Sequence, residues 1–130
     1  IHDAARPFFD SQLVASVLEK LNSFTACIPL SPVVDTLKEH SNGLVHCTID
    51  RNIVGKTQTP MGFQRTVLDD LMAENEDEHI TDESQLFERA GHPISVVLSS
   101  DSNLKLTYPN DMAFADYFVR HHHPRGSLTC

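Results

Sequence analysis

Hydrophobic residues recur along this chain at spacings that predict both helices and strands. Over residues 13–21 the apolar positions are separated by intervals of one and three residues, which is the period of one helix face. Asp10 or Ser11, just before this segment, can accept hydrogen bonds from the free N–H groups of a first turn. Residues 64–73 repeat the pattern, so we predict a helix in each place.

Two more helices are indicated by their end signals. Thr81 offers a capping hydroxyl and is followed by Asp82 and Glu83, whose charges suit the first turn of a helix. Gly91 is placed to end this helix, because a glycine after the last turn readily adopts positive φ. A last helix is predicted to open at Pro109, since proline favours the first helical position. Its buried stripe would comprise Met112, Ala115, Phe118 and Val119.

Short apolar runs between these segments predict strands. Residues 25–30 and 94–98 are the clearest, and Pro29 pushes the first toward a sheet edge or a bulge because proline cannot donate to a ladder. Leu104 and Leu106 alternate with polar neighbours, which predicts another short strand over residues 104–107. Strands that alternate with helices indicate an α/β fold with a parallel sheet.

The stretch from residue 33 to residue 57 follows a different pattern. Asn42 and Gly43 separate two β-prone runs, a strong hairpin signal because the tightest turn needs positive φ at both central residues. The changes of polarity along both runs predict that the hairpin is half exposed. A long two-stranded ribbon is not stable in water by itself. We therefore expect the hairpin to lie on a second copy of the chain as a dimer arm.

Composition restricts the possible functions. The 130 residues suffice for one domain, and 18 acidic residues against 10 Lys and Arg give a formal net charge of −8. This charge argues against a general binder of nucleic acid or anionic membranes, although a few converging cations could still bind a small anion. No apolar run approaches the length of a membrane span. Cys27, Cys47 and Cys130 lack metal-ligand spacing, and buried thiols of the first two would fit a reducing, cytoplasmic compartment.

Two segments carry little structural signal. The acidic run at residues 74–78 is predicted to be a solvated loop rather than a metal site. Residues 121–130 have no hydrophobic period, and their adjacent histidines cannot all face one ion from a helix. We interpret residues 121–130 as a tail.

The first residues carry the strongest chemical signal. Asp3 and Arg6 flank two alanines, an arrangement typical of a strand end that opens into a ligand crevice. Asp3 can bind a hydroxyl or a metal-bound water, and the planar guanidinium of Arg6 suits a phosphate. An Asp3–Arg6 ion pair that staples a turn before Pro7 is an equal alternative. Because a domain rarely begins at a strand end, we also expect further residues upstream of Ile1.

Two more cations are candidates for the same crevice. Strand alternation would place Lys105 on the face opposite Leu104 and Leu106, where it is either solvated or directed at a phosphate. Arg51 follows Asp50 at the end of the hairpin, where a local ion pair is the simpler explanation. Neither position identifies a site when it is taken singly.

Six motifs occur in a fixed order along the chain, and together they are more specific than any one of them. In sequence they are HDAARPF, PVVDTLK, TIDRN, QTPMGF, ITDE and NLKLTYPND. In this order they resemble the later half of the 2-C-methyl-D-erythritol 4-phosphate cytidylyltransferase family, over residues 1–120.

The resemblance implies a fold and a reaction. The fold would be a partial Rossmann-like nucleotidyltransferase sheet formed by residues 1–120, with β-arms around residues 33–57 that interlock the subunits of a homodimer. The reaction would transfer a cytidylyl group from CTP to a sugar-alcohol phosphate, release pyrophosphate and require Mg²⁺. Neither nucleic acid nor a membrane would take part.

The site residues of the family are carried over by motif. Asp3 and Arg6 would hold the methylerythritol phosphate, and the backbone around Ala4 would approach the nucleotide. Lys105 would lie between the substrate phosphate and the α-phosphate of CTP, and Thr81 would help to position the substrate. Two hairpin residues would reach into the site of the partner subunit, namely Thr36 and Arg51.

The sequence departs from the family in three respects. The glycine-rich nucleotide loop, with its arginine and lysine, has no counterpart in these 130 residues, so we expect this stretch to be inactive alone. Met61 stands where the family commonly has Gln, and Ile53–Val54 replace a pair that usually ends in an aromatic residue. Two alternatives therefore stay open: a related ribitol-5-phosphate cytidylyltransferase, and a non-catalytic dimerisation module.

Overall fold

A computed structural model describes residues 1–75 and 79–122 of the chain. Within them the helices and strands follow one another without a long break. The elements are α1 (Ser11–Lys20), β1 (Ala26–Pro32), β2 (Leu37–Ser41), β3 (Leu44–Ile49), a 3₁₀ turn (Arg51–Ile53), β4 (Gly55–Thr57), β5 (Gly62–Phe63), α2 (Arg65–Glu74), α3 (Ser84–Arg89), β6 (Ile94–Leu98) and α4 (Asp111–His122).

β1 is the central strand of the main sheet. Along one edge it pairs in parallel with β6, from Ala26 opposite Ile94 to Leu30 opposite Leu98. Its other edge pairs antiparallel with β5 near its start and with β4 near its end. The predicted α/β class is therefore confirmed, but the sheet is mixed rather than all parallel.

Pro29 lies in the middle of this central strand, so, of the two predicted places, an edge or a bulge, the edge is wrong. The residue is fully buried and stands opposite Val97 of β6. Its carbonyl accepts the N–H of Gln58 (2.9 Å), which lies in the gap between β4 and β5. Because the nitrogen and the carbonyl of a strand residue face the same neighbour, the missing N–H of Pro29 faces this gap. No hydrogen bond to β6 is lost.

Two segments predicted as strands are extended loops instead. At the start of the chain, Ile1 exchanges both backbone hydrogen bonds with Met61 (2.8 and 2.9 Å) before the chain turns. Residues 104–107 make one comparable bond, from the Leu106 N–H to the Ala5 carbonyl (2.8 Å). A strand requires a run of such bonds along a neighbour, and within the described residues neither segment has one.

Two capping predictions are confirmed. The Asp10 carboxylate accepts the Leu13 N–H (2.7 Å) at the start of α1. Gly91 follows α3 with a φ of 73°, and the next N–H, from His92, donates to the Phe87 carbonyl (2.9 Å). This is the Schellman motif that a glycine with positive φ permits.

α3 begins later than predicted. The Asp82 carboxylate accepts the Ser84 N–H (2.9 Å), and the first helical residue is Ser84. Thr81 therefore lies outside the helix, and its hydroxyl accepts a bond from the Gln85 side chain (2.9 Å) instead of capping the first turn. The prediction of Thr81 as N-cap is wrong, because the Asp82 side chain forms its own turn first.

α4 also differs from its prediction. Its first residue is Asp111, whose carboxylate accepts the Tyr108 N–H (2.8 Å) and closes a turn that contains Pro109. Pro109 is therefore not the first helical residue. In the predicted buried stripe Ala115 is buried and Phe118 is half-buried. The other two members are exposed, namely Met112 and Val119.

Two hydrophobic clusters lie on opposite faces of the main sheet. Ala26 packs with Leu71 of α2 and Phe87 of α3. Its neighbour Cys27 packs with Val17 of α1. Because successive side chains of a strand point to opposite faces, β1 contributes to both clusters. The chain therefore has three layers, with α1 on one face of the sheet and α2 and α3 on the other.

β2 and β3 form a separate two-stranded sheet, which confirms the predicted hairpin. Asn42 (φ 51°) and Gly43 (φ 79°) occupy its turn. The hairpin is exposed on both faces rather than half exposed, and Leu44 and Val45 are 69% and 65% accessible. It is also shorter than predicted, because residues 55–57 pair with β1 in the main sheet.

The two described cysteines are free but differ in environment. Cys27 is buried as predicted, and burial raises the pKa of its thiol. Cys47 is exposed on β3, so the prediction of burial is wrong. Its thiol donates to the Glu39 carboxylate (3.2 Å), and this bond raises the pKa of Cys47.

Some predictions lie partly outside the described residues. In the acidic run, Glu74 ends α2, whereas residues 76–78 are not among those described. α4 continues through residue 122, so the predicted tail, residues 121–130, begins inside a helix. The rest of the tail, residues 123–130 with Cys130, lies outside the described residues. In the part of the chain that the structure describes, no helix combines the length and the apolar character needed to cross a membrane.

Candidate active site

The turn at residues 3–6 is built by short-range hydrogen bonds. The Arg6 N–H donates to the Asp3 carbonyl (3.0 Å), and the Ala5 N–H donates to Oδ1 of the Asp3 side chain (3.1 Å). Ala4 lies exposed in the middle of this turn. The Asp3 side chain therefore stabilises its own turn through the backbone, and the predicted Asp3–Arg6 staple is not needed for it.

Asp3 pairs with Lys105, from the loop after β6. The Lys105 Nζ lies 2.8 Å from Oδ2 of Asp3, and the lysine side chain is 51% exposed. The hydrogen bond from Lys105, together with the one from the Ala5 N–H, holds the pKa of Asp3 below its ordinary range. The carboxylate is therefore ionised at neutral pH, with one cation beside it.

Arg6 is held by carbonyl groups of two other segments. Its Nη1 donates to the Asn103 carbonyl (2.8 Å) and its Nη2 to the Thr57 carbonyl (3.4 Å). Burial lowers the pKa of Arg6, but a guanidinium stays protonated at physiological pH. The cation is thus fixed between β4 and the loop after β6.

Sequence reasoning missed two polar residues beside this turn, Thr59 and His2. Thr59 Oγ1 accepts the Asp3 N–H (3.0 Å) and lies 3.0 Å from His2 Nδ1. His2 Nε2 lies 3.0 Å from the Arg6 carbonyl. A neutral imidazole protonated on Nε2 satisfies all three bonds, because Thr59 then donates to Nδ1 while Nε2 donates to the carbonyl. Only the fold brings these two residues together, so no local pattern reveals the contact.

Asp3, Arg6 and Lys105 line one open cleft with a volume of about 350 Å³. Thr81, from the segment before α3, lines the same cleft. The structure thus brings together four of the residues that the sequence selected for substrate binding. Part of the cleft is apolar, formed by Ile1, Met61 and Ile80. Beside Thr81, the cleft is also lined by two acidic residues, Asp82 and Glu83.

Arg6 and Lys105 also line a second cavity of about 290 Å³. Lys56 lies there with its Nζ 2.6 Å from Oδ1 of Asp101. The hydrogen bond from Lys56 lowers the pKa of Asp101. Three cations and one carboxylate therefore line this cavity, which makes the surroundings of Arg6 and Lys105 favourable for an anion.

The two hairpin candidates do not line the cleft of their own chain. Arg51 Nη1 donates to the Val34 carbonyl (2.6 Å) and closes the base of the hairpin. The predicted partner of Arg51, Asp50, accepts the Asn52 N–H instead (2.9 Å). Thr36 is exposed just before β2. Any role of Arg51 and Thr36 in substrate binding therefore depends on a second subunit.

Known sequences match this chain over most of its length. The model of the IspD family, 2-C-methyl-D-erythritol 4-phosphate cytidylyltransferase, matches residues 1–121. The protein of that name from Syntrophus aciditrophicus is 36% identical over 123 residues, which cover 92% of this chain and 53% of the relative. A bifunctional enzyme IspD/IspF from Desulfotalea psychrophila is 34% identical over 120 residues, or 92% of this chain and 31% of the relative. The chain thus spans about half the length of the first relative and less of the second.

Solved structures share the fold. The 2-C-methyl-D-erythritol 4-phosphate cytidylyltransferase of Thermus thermophilus has a TM-score of 0.82 at 32% identity, covering 92% of this chain and 60% of that one. The 4-diphosphocytidyl-2C-methyl-D-erythritol synthase of Anaerococcus prevotii has a TM-score of 0.84 at 29% identity, over 92% and 57% of the two chains. Sequence and fold agree that this chain belongs to the 2-C-methyl-D-erythritol 4-phosphate cytidylyltransferase family.

Proposed function

We propose that this chain supplies the substrate-phosphate side of a cytidylyltransferase active site. The reaction would transfer a cytidylyl group from CTP to 2-C-methyl-D-erythritol 4-phosphate and release pyrophosphate. The observation that supports it most is the convergence of Asp3, Arg6 and Lys105 on one open cleft, which Thr81 also lines. Family membership suggests the substrates, and the cleft offers the cations that phosphates require.

This chemistry needs cations rather than a general base. The attacking atom would be an oxygen of the substrate phosphate, which is already ionised near neutral pH. It would form a bond to the α-phosphorus of CTP while the bond to pyrophosphate breaks, and pyrophosphate would leave with the electron pair. Lys105 and Arg6 would offset the charge on the phosphate oxygens, and the Arg6 guanidinium is fixed in advance by its bond to the Asn103 carbonyl.

Lys105 would change partners during this reaction. Its ammonium group is bound to Asp3 in the structure, but both side chains are partly exposed. A pair of this kind contributes only about 0–1 kcal/mol, so a substrate phosphate can compete for the lysine. Asp3 would then be free to accept a hydrogen bond from a hydroxyl group of the polyol.

Mg²⁺ forms part of the same proposal. Among residues 1–75 and 79–122, no three histidine, cysteine or acidic side chains converge into a metal cage. Mg²⁺ does not need one, because it keeps several waters and binds through one or two carboxylates and the phosphates of the substrate. Asp3, which pairs with Lys105, is the one acidic residue of the selected site that we place near the ion. The ion would supply positive charge to the triphosphate.

We further propose that the nucleotide loop lies upstream of Ile1. The sequence contains no glycine-rich stretch with the arginine and lysine that the family uses for CTP, and the chain spans 53% of its Syntrophus relative. The upstream residues would also complete the Rossmann-like sheet. This chain alone would therefore be inactive.

The hairpin would supply the remaining part of the site, in a homodimer. Its two faces are exposed, with Leu44 and Val45 accessible on β3. Such a ribbon favours a protein partner, and interlocked hairpins would bring Thr36 and Arg51 to the cleft of the other subunit. The free thiols of Cys27 and Cys47 support a reducing, cytoplasmic location for this dimer.

The proposal is tested by pyrophosphate release from CTP in the presence of Mg²⁺ and one of two polyol phosphates. The proteins to compare are this chain, the chain extended by the residues encoded upstream, and the Lys105→Ala variant of the extended chain. Lys20→Ala serves as a matched control, because Lys20 lies in the last turn of α1, outside the cleft. We expect release from the extended chain and the Lys20→Ala variant, and at least about 100-fold less from Lys105→Ala.

Each other outcome would contradict part of the proposal. Full activity of the 130 residues alone would contradict the upstream nucleotide loop. Faster turnover of ribitol 5-phosphate than of 2-C-methyl-D-erythritol 4-phosphate would identify the related enzyme instead. An extended chain that dimerises but releases no pyrophosphate with either substrate would support a non-catalytic dimerisation module.

A further inference from the structure

Two amide side chains are buried beside the cleft. Asn103, in the loop after β6, is 3% exposed, and Gln58, in the gap between β4 and β5, is 5% exposed. Nδ2 of Asn103 donates to Oε1 of Gln58 (3.0 Å) and to the Thr59 carbonyl (2.8 Å). Oδ1 of Asn103 is buried without a partner among the described residues, so its amide is held through Nδ2 alone. Because breaking these bonds would leave further buried polar atoms unpaired, they hold Asn103 and Gln58, which we call the amide pair, in one arrangement.

The amide pair is anchored to the main sheet. The Gln58 N–H donates to the Pro29 carbonyl of β1 (2.9 Å). Its side-chain Nε2 donates to the Ser100 carbonyl (3.1 Å), and its Oε1 accepts the Ser99 hydroxyl (2.7 Å). Gln58 thus joins the central strand to the start of the loop that carries Lys105.

The amide pair also connects the charged groups of the cleft. The Asn103 carbonyl accepts Nη1 of Arg6 (2.8 Å), and Lys105 follows two residues later in the same loop. Thr59, whose carbonyl is bound by Asn103, uses its hydroxyl to accept the Asp3 N–H (3.0 Å). The charged residues that we place in the cleft are therefore all linked to the amide pair through short connections.

The loop of Lys105 is held at both ends by backbone bonds. The Ser99 N–H donates to the Leu30 carbonyl of β1 (2.9 Å), and the Leu106 N–H donates to the Ala5 carbonyl of the first turn (2.8 Å). Lys56 and Asp101 form an ion pair that is largely exposed, and such pairs restrain a loop weakly. Between the two backbone bonds, the amide bonds of Asn103 hold the loop where water is excluded.

We propose that Asn103 and Gln58 are positioning residues that hold Lys105 and Arg6 at a fixed spacing for phosphate binding. They act through the two cations and not on the substrate. This inference rests on the proposed function for its effect on turnover, but its effect on the geometry of the cleft can be measured separately. A displacement of about 1 Å in a catalytic group can lower a rate by about 100-fold.

Two variants test the proposal, Asn103→Ala and Gln58→Leu. The first removes both donors of Asn103, and the second removes the bonds of Gln58 to Ser99 and Ser100 without adding a charge near Asp3. Val17→Ala is the control, since it destabilises the core through a cavity in α1, and no residue of its cluster lines the cleft. All variants are compared at a temperature where circular dichroism shows them folded, so that loss of stability alone does not enter the result.

The first readout needs no activity. The pKa of Asp3, measured by NMR in this chain, reports the Lys105–Asp3 contact. We expect both variants to raise the pKa of Asp3 toward its ordinary value and Val17→Ala to leave it unchanged. An unchanged Asp3 pKa in both variants would overturn the proposal.

The second readout is turnover in the extended chain. We expect kcat to fall by about 100-fold in each variant with little change in KM for CTP. In a Lys105→Ala background the same substitutions should lower kcat by less, because only their effect through Arg6 remains. Equal effects in both backgrounds would overturn the positioning of Lys105. If the wild-type extended chain lacks cytidylyl transfer while the Asp3 pKa still responds, the proposed function is wrong and the positioning of Lys105 stands.

Discussion

The ammonium nitrogen of Lys105 lies 2.8 Å from Oδ2 of Asp3, so two residues selected for phosphate and hydroxyl binding neutralise each other in the free chain. Arg6 differs from Lys105, because its guanidinium is directed at backbone carbonyls instead of a carboxylate. The two cations of the cleft therefore contribute differently to the stability of the fold. Lys105 can exchange its partner at little cost, whereas Arg6 also joins segments of the fold.

We predict that Arg6→Ala lowers the free energy of unfolding more than Lys105→Ala does. Both variants should lower turnover by about 100-fold or more in the extended chain. The exposed Lys105 pair should contribute less than about 1 kcal/mol to the free energy of unfolding. Arg6→Ala leaves two carbonyl groups without a donor and should cost about 1–3 kcal/mol. Urea unfolding of the two variants measures the difference. A larger loss in Lys105→Ala than in Arg6→Ala would contradict this account of the cleft.

A second prediction concerns the titration of Asp3. The hydrogen bond from Lys105 lowers the pKa of Asp3 below its ordinary value of 3.8. Lys105→Gln should move this pKa back toward 3.8, as measured by NMR. Asp101 is the internal control, because its lowered pKa depends on Lys56 and should not change in this variant. A shift of both carboxylates together would indicate a global change instead of the loss of one contact.

The sign of the Asp3 shift sets a pH window for stability. A carboxylate with a lowered pKa in the folded chain stabilises the fold above its unfolded pKa, and this contribution is lost as the pH falls through the folded pKa. The difference in unfolding free energy between the wild type and Lys105→Gln should therefore be present at neutral pH and vanish as the pH falls below 3.8. A difference that persists unchanged at low pH would show that Lys105 acts through other contacts.

The parts of the fold that the sequence predicts well are those with local causes. The helix period before Leu21 and the Asn42–Gly43 turn depend on neighbouring residues, so both are recognised from the chain. The place of Pro29 depends on a gap between β4 and β5, which long-range pairing creates. Alternation at residues 104–107 is real, with Lys105 exposed between two half-buried leucines, but no neighbouring strand pairs with it in the described chain.

In the candidate site, too, the sequence predicts what has a local cause and does not predict what depends on long-range contacts. Residue type and motif select Asp3, Arg6 and Lys105, because phosphate binding has few chemical solutions. The partners of these residues follow from tertiary structure, as when Thr59 binds the Asp3 N–H. Asn103 illustrates the limit, since a single amide in a loop carries no signal until its burial is known.

A third prediction tests how closely β5 approaches α1. A Cβ atom at Gly62 would lie 2.6 Å from Cγ1 of Val17 and 2.9 Å from Cδ1 of Leu21. Gly62→Ala should therefore destabilise the chain by about 1–3 kcal/mol through overpacking. Thermal or urea unfolding measures this loss, and Val17→Ala in the same chain should recover part of it by making room.

The matched control is Gly43→Asn, at the hairpin turn. A Cβ atom at Gly43 would have no neighbour within 4 Å, so a loss there comes from the φ of 79° alone, which side chains rarely adopt. This loss should be about 1 kcal/mol, and Val17→Ala should not recover any of it. If Val17→Ala recovered neither loss, the contact with α1 would not determine the effect at Gly62.

The last prediction concerns the hairpin as a dimer arm. If Arg51 serves the cleft of the partner subunit, Arg51→Ala and Asp3→Asn in the extended chain should each be inactive as pure proteins, because one lacks the arm cation and the other the cleft carboxylate. A mixed dimer joins the intact cleft of the first variant to the intact arm of the second and so contains one complete site. Random pairing of equal amounts should restore about a quarter of the wild-type pyrophosphate release. Lys105→Ala mixed with Asp3→Asn is the control and should stay inactive, since both changes lie in the cleft. An Arg51 mixture as inactive as this control would contradict a role of Arg51 in the site of the partner subunit.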